Sequence, residues 1–184
     1  MSGALSPLSR AHRRFLGTLT AGSVNQDVQL HEHLLIAHGL DPVFLQHLAT
    51  AGIPRGGPLL GYWQDSVLTI THMLSSTPAG LTSLRDPLAI DPSYLLGALD
   101  GLQQVSGHPY DWVGHWYMAA DGLETDELTD HLVWRRARRL ALVTPGTVLL
   151  TIGHGEERPA LHAYTVQSGE MLPLEITRES GGEA

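Results

Sequence analysis

The chain has 184 residues, enough to bury a core in one domain, and a formal net charge of −8 that argues against a nucleic-acid binder. It has no cysteine, which excludes disulfides, thiolate zinc sites and cysteine nucleophiles, and its 11 cations are all arginine, which excludes Schiff-base lysines and a phosphate-loop lysine. No apolar run reaches the roughly 18 residues of a membrane span, and the basic start MSGALSPLSRAHRRFLG lacks the apolar centre of a secretory signal, so a cytoplasmic location is expected.

Residues 1–14 read as a flexible tail, with Ser, Gly, Pro and basic positions before any periodicity. Phe15 to Thr20 reads as a strand. Between residues 28 and 36, Val28, Leu30, Leu34 and Ile36 alternate on one face of a half-buried strand, with His31 and His33 on the opposite face, which reads either as solvated or as a metal clip. Asp41-Pro42 offers an N-cap and a first-turn proline to a helix that carries Phe44, Leu45 and Leu48 and stops at Gly52. GGPLLGYW (56–63) and SVLTITHML (66–74) read as a hairpin turning at Gln64-Asp65, and the Pro-, Gly- and Ser-rich segment 75–90 as a long loop.

Asp91-Pro92 repeats the cap-and-proline start, and Leu95, Leu99 and Leu102 form the stripe of a helix ending near Gly107. Trp112 to Ala119 is the next strand. Thr125 is expected to cap a helix with Asp126 and Glu127 in its first turn and arginines in its second half, both signs that suit the helix dipole. Thr144-Pro145-Gly146 stops it. Strands follow at 147–152, 161–167 and 171–176, and residues 177–184 read as a disordered tail. The order of elements argues one α+β domain, residues 15–176, with a mixed, partly rolled β-sheet flanked by helices.

Four pieces then fall in a telling order: GGPLLG (56–61), WVGHWY (112–117), the Asp121-Gly122 turn and ELTDHLVW (127–134). Together they resemble the JAB/MPN domain, the JAMM metalloprotease fold, in its prokaryotic branch, over residues 40–176. In that family a Glu precedes a GG-apolar-G strand, a later strand ends in W-H-x-H-P, and Ser-x-x-Asp opens the next helix. The two His and the Asp hold zinc, and the Glu is the general base. The resemblance implies an MPN/cytidine-deaminase-like layer architecture. It also implies that Tyr117 and Ala119 stand where the two histidines would be, with Trp116 before them and Ala120 at the Pro. Glu127 stands at the Ser, Asp130 at the Asp, and Pro54, beside Arg55, at the Glu.

Alanine cannot coordinate and proline cannot take a proton, whereas a catalytic zinc needs three protein ligands and an open position for water. The site is therefore expected to be degenerate at Pro54, Tyr117, Ala119 and Glu127, with no catalytic residue, cofactor or metal. The resemblance then implies a non-catalytic scaffold or dimerisation module that meets a protein partner or itself; composition and charge argue against membrane and nucleic acid, the latter entering only through the arginine-rich helix. The alternative is a zinc-dependent JAMM-type peptidase or isopeptidase with a rearranged ligand set. There His115, on the same strand face as Tyr117 and Ala119, joins Asp130. His72 and His154 are further donors near strand ends, while His131 turns roughly 100° away from Asp130 along the helix. No G-x-S-x-G elbow is present. Arg135, Arg136, Arg138 and Arg139 read either as a solvated face, partly neutralised by Glu127 or Asp130, or as a docking patch for an acidic partner. Tyr62, Trp63, Trp112, Trp116 and Tyr117 are candidate exposed aromatics around the former site, with core packing as the reading for Trp116 and an option for Trp112; a Tyr-lined pocket there would suit peptide or protein binding.

Overall fold

The computed structural model describes residues 10–16, 33–50, 52–64, 66–76 and 86–179. Among these, eight strands form one mixed sheet: β1 (His33–Ile36), β2 (Arg55–Gln64), β3 (Val67–Met73), β4 (Asp111–Met118), β5 (Val148–Gly153), β6 (Ala160–Gln167), β7 (Glu170–Pro173) and β8 (Glu175–Arg178). Four α-helices pack with it: α1 (Arg10–Phe15), α2 (Asp41–Leu48), α3 (Pro92–Ser106) and α4 (Glu127–Arg139). The strand order is β7-β6-β5-β4-β2-β3-β1-β8. Parallel pairs join β4 to β5 and β1 to both β3 and β8; the other pairs are antiparallel.

The fold is α+β, as expected, but the sheet rolls further than the sequence suggests. The run 171–176, expected as one strand, divides at Leu174 into β7 and β8, which occupy opposite ends of the strand order. Since one residue separates them, the two edges must come together, and the sheet is nearly closed. At the seam the Leu174 N–H donates to the Ala163 carbonyl at 2.9 Å, and the Arg178 side chain bonds the Pro159 carbonyl and, at 2.9 Å, Asp41. Thr177 and Arg178 thus belong to the sheet rather than to a tail; residues 180–184 lie outside the described part.

Two apolar clusters cover the two faces. One gathers Leu34, Ile36, Leu59, Leu68, Ile70, Trp116, Met118, Leu150 and Ile152 around Phe44 and Leu48 of α2. The other places Ala11 of α1, Leu95 and Leu99 of α3, and Trp134 and Ala137 of α4 over Leu60, Trp112, Leu149 and Tyr164. Glycines permit the tight sheet packing. A Cβ on Gly57 would lie 2.0 Å from the Leu74 carbonyl oxygen, and one on Gly61 would lie 1.9 Å from that of Thr69. The GG-apolar-G pattern is therefore a packing requirement in this chain, whatever else it signifies.

Several local expectations change. The stretch expected to be a tail becomes helical at Arg10, because the Asp111 carboxylate accepts the N–H groups of Arg10 and Ala11 at 2.7 and 3.3 Å and Ala11 is fully buried. Phe15 ends that helix rather than opening a strand; residues 17–20 lie outside the described part, as do 1–9, His31, Asp65 and residues 77–85 of the 75–90 loop. Asp41 is the first residue of α2 and not its cap. Asp91 does cap α3, accepting from Tyr94 N at 3.1 Å, and Gly107, at φ 69°, ends it in the left-handed conformation. α4 is capped by Asp126, whose carboxylate accepts from Thr129 N at 2.7 Å, and not by Thr125. It stops at Arg139, four residues short of the expected reach. No helix among the described residues is long and apolar enough to cross a membrane.

Candidate functional site

The Pro54 and Ala119 positions lie at one end of the β2–β4 ladder. Arg55 pairs with Met118 and Gly56 with Tyr117, which puts exposed Pro54 at the same sheet end as Ala119. The Gly52 N–H donates to the Ala120 carbonyl at 2.8 Å, tying these two segments together. Gly122, at φ 68°, makes the turn after β4 and accepts from His154 N at 2.8 Å. Tyr117 is half-buried; burial, then nearby Asp121, push its phenol up, opposed by Arg136. Glu127 is exposed on the first turn of α4.

Asp130 is the centre of the arrangement. It faces the sheet with no exposed surface, and three donors converge on its carboxylate. The Thr125 hydroxyl donates to Oδ1; the Tyr164 hydroxyl at 2.5 Å and His162 Nδ1 at 2.8 Å both reach Oδ2. His162 Nε2 extends the chain to Glu124 at 3.0 Å, near the surface, its side chain 34% exposed. Because the carboxylate only accepts, Nδ1 of His162 carries a proton and the ring is held in one orientation. Burial, then the Asp130 carboxylate, push the Tyr164 phenol up. On the same face, Thr151 lies in register between Tyr117 and His162 with its hydroxyl buried and unpartnered in the structure.

His115 does not join this network. It is fully buried one strand pair away, and its Nε2–H donates to the Pro87 carbonyl at 2.9 Å. That bond places the proton on Nε2 and leaves a buried Nδ1 lone pair with no partner. Burial pushes His115 down to about 4, so the ring is neutral. His72 bonds the Thr71 hydroxyl at 2.9 Å, His131 is exposed against the Trp134 ring, and His154 is exposed; none of the three is bonded to Asp130.

The arginines also find other partners than expected. Arg136 pairs with Asp86 at 2.5 Å, and Arg138 bonds the Gly169 carbonyl while lying over the Trp134 ring at 5.4 Å. Neither Glu127 nor Asp130 neutralises them. Trp112 and Trp116 are core residues, buried, and they donate to the carbonyls of Gly114 and Leu74 at 2.6 and 2.7 Å.

Sequence reasoning missed Glu124, His162 and Tyr164. The available signal was the alternation in LHAYTVQ, which sets His162 and Tyr164 on one face of a strand. No known family profile matches the chain, and no curated protein matches it. Among solved structures, the chain is similar to the solution structure of protein DSY2949 from Desulfitobacterium hafniense, at 14% identity with a TM-score of 0.54, covering 80% of this chain and 94% of that one. That similarity concerns the fold.

Proposed function

We propose that this chain is a non-catalytic domain of the JAB/MPN type, cytoplasmic, which works through protein contacts as a scaffold or dimerisation module, and that its rolled sheet and helices are an MPN-like layering. The observation that carries this reading is the state of Asp130. At the position where the family's zinc-binding aspartate would stand, the carboxylate is sealed from solvent and both oxygens already accept from Thr125, Tyr164 and His162. The donor set around it does not fit a catalytic zinc. Ala119 has no donor atom, Pro54 no base, and His162 gives Nδ1 to Asp130 and Nε2 to Glu124. His115, the residue of the rearranged alternative, spends its Nε2–H on Pro87. What remains is a polar cluster in which both oxygens of Asp130 are satisfied by protein donors, which supports a site kept for shape rather than chemistry.

The test is metal content by mass spectrometry on untagged protein exposed to zinc and dialysed. The expected result is below about a tenth of an equivalent in the parent and in Asp130→Asn alike. Near one equivalent in the parent, lost in Asp130→Asn or in His115→Gln, would overturn the reading in favour of the zinc-dependent peptidase.

A further inference from the structure

The outward face of α4 carries apolar side chains where a solvated helix would carry polar ones. Leu128 and Leu132, one turn apart, are 68% and 56% exposed. Arg135 and Arg139 continue their stripe with i, i+4, i+7, i+11 spacing, on the side away from buried Asp130, Trp134 and Ala137. Both arginines are exposed and neither has an ion pair or side-chain hydrogen bond among the described residues, whereas Arg136 pairs with Asp86 and Arg138 bonds the Gly169 carbonyl. Ahead of Leu128 the chain is acidic, with Asp121, Glu124, Asp126 and Glu127 all exposed, and Leu123 among them is 59% exposed. The surface along this segment thus runs acidic, apolar, basic. Beside the basic end, a groove of about 680 Å³ opens between α4 and the β6–β7 turn, with Trp134, Arg135, Arg139 and Met171 in its lining.

Such a segment complements itself when reversed. We propose that the partner of this face is a second copy of the chain, with the two α4 helices antiparallel about a two-fold axis. Leu128 of each copy packs on Leu132 of the other. The acidic approach to α4, Asp121 to Glu127, meets Arg135 and Arg139 and lays Leu123 toward the groove. A foreign acidic peptide would match only the basic end and be repelled at the other; a second copy matches both, as an isologous interface requires. This deepens the reading of the chain as a protein-contact module and rests on it.

The experiment is sedimentation velocity on the full chain at about 100 μM in low salt, with each variant's fold checked by thermal melting. The parent should be a dimer, and Leu128→Glu with Leu132→Glu a monomer. Two charge-reversed variants, Arg135→Glu with Arg139→Glu and Asp121→Arg with Glu127→Arg, should each weaken self-association by about a hundredfold. Mixed in equal amounts, they should pair with each other, since every reversed end then meets its opposite. A monomeric parent, a dimer that survives the leucine changes, or a mixture of folded variants that stays monomeric would each overturn the interface. A zinc-loaded dimer would sink the non-catalytic reading and leave this interface standing; a zinc-free monomer does the reverse.

Discussion

Replacing Asp130 with alanine tests whether the polar cluster holds this end of the fold together. In the parent, the Thr125 and Tyr164 hydroxyls, on residues 8% and 9% exposed, both donate to the carboxylate, as does His162. Removing the acceptor strands the two buried hydroxyls, and each abandoned buried donor costs about 1–3 kcal/mol. His162 loses less, because its side chain is 34% exposed and turns to water. Relief of the carboxylate's own desolvation offsets part of the loss, leaving a net cost of about 3 kcal/mol. In a chain of this size each kcal/mol moves the melting midpoint by roughly 2–4 °C, so the fall should be roughly 6–12 °C. Asp130→Asn keeps the shape and one carbonyl acceptor, and should lose about half as much. The assay is thermal unfolding followed by circular dichroism at neutral pH. A fall of less than about 2 °C for Asp130→Ala, or equal falls for the two variants, would refute the hydrogen-bond argument.

Three further outcomes are expected. His115 is held neutral in the fold down to about 4, whereas the unfolded chain takes that proton near 6.5; the unfolded state therefore binds more protons between these values, and stability falls as pH drops through them. The loss should approach about 3 kcal/mol, and urea midpoints at several pH values should show it flattened in His115→Gln, which keeps a donor for Pro87; an unchanged acid slope refutes it. At the alkaline end, Tyr164 and Tyr117 keep their protons in the fold above the usual 10. The folded state then binds more protons, so stability declines as pH rises beyond 10, less steeply in Tyr164→Phe. Finally, Gly61→Ala should cost more than about 3 kcal/mol in a urea titration, since its Cβ would meet the Thr69 carbonyl. Gly97→Ala, in α3 with nothing within 4 Å, should stabilise by roughly 0.5–1 kcal/mol; equal effects would undo the packing argument.

Short-range pattern was the reliable guide to the elements. The short run of β2 with its turn toward β3, the Asp91-Pro92 start and Gly107 stop of α3, and the stripe of Leu95 and Leu99 each express an interaction within a few residues, which a single stretch of chain can display. The failures are of another kind. α1 is six residues long, too short for a period, and exists because Asp111, about a hundred residues away, accepts its first N–H groups. What buries Trp112 and Trp116, namely α2, α3 and the loop at Leu74, is likewise absent from the local pattern of their own strand.

The candidate site divides along the same line. The amino-acid sequence by itself determined that Pro54 and Ala119 carry no side-chain donor, that Tyr117 is not an imidazole, and that Asp130 sits on the first turns of a helix, because those are statements about side-chain chemistry and local spacing. Only the tertiary structure decided what Asp130 does instead. Its partners come from the loop before α4 and from β6, with His162 lying 32 residues away along the chain. That meeting depends on the register between β5 and β6 and on the docking of α4 over them, and neither is written in any local pattern. Closure of the sheet was decided in the same way: Leu174 reads as mid-strand, and it becomes the hinge between opposite edges only because β8 finds its partner in β1.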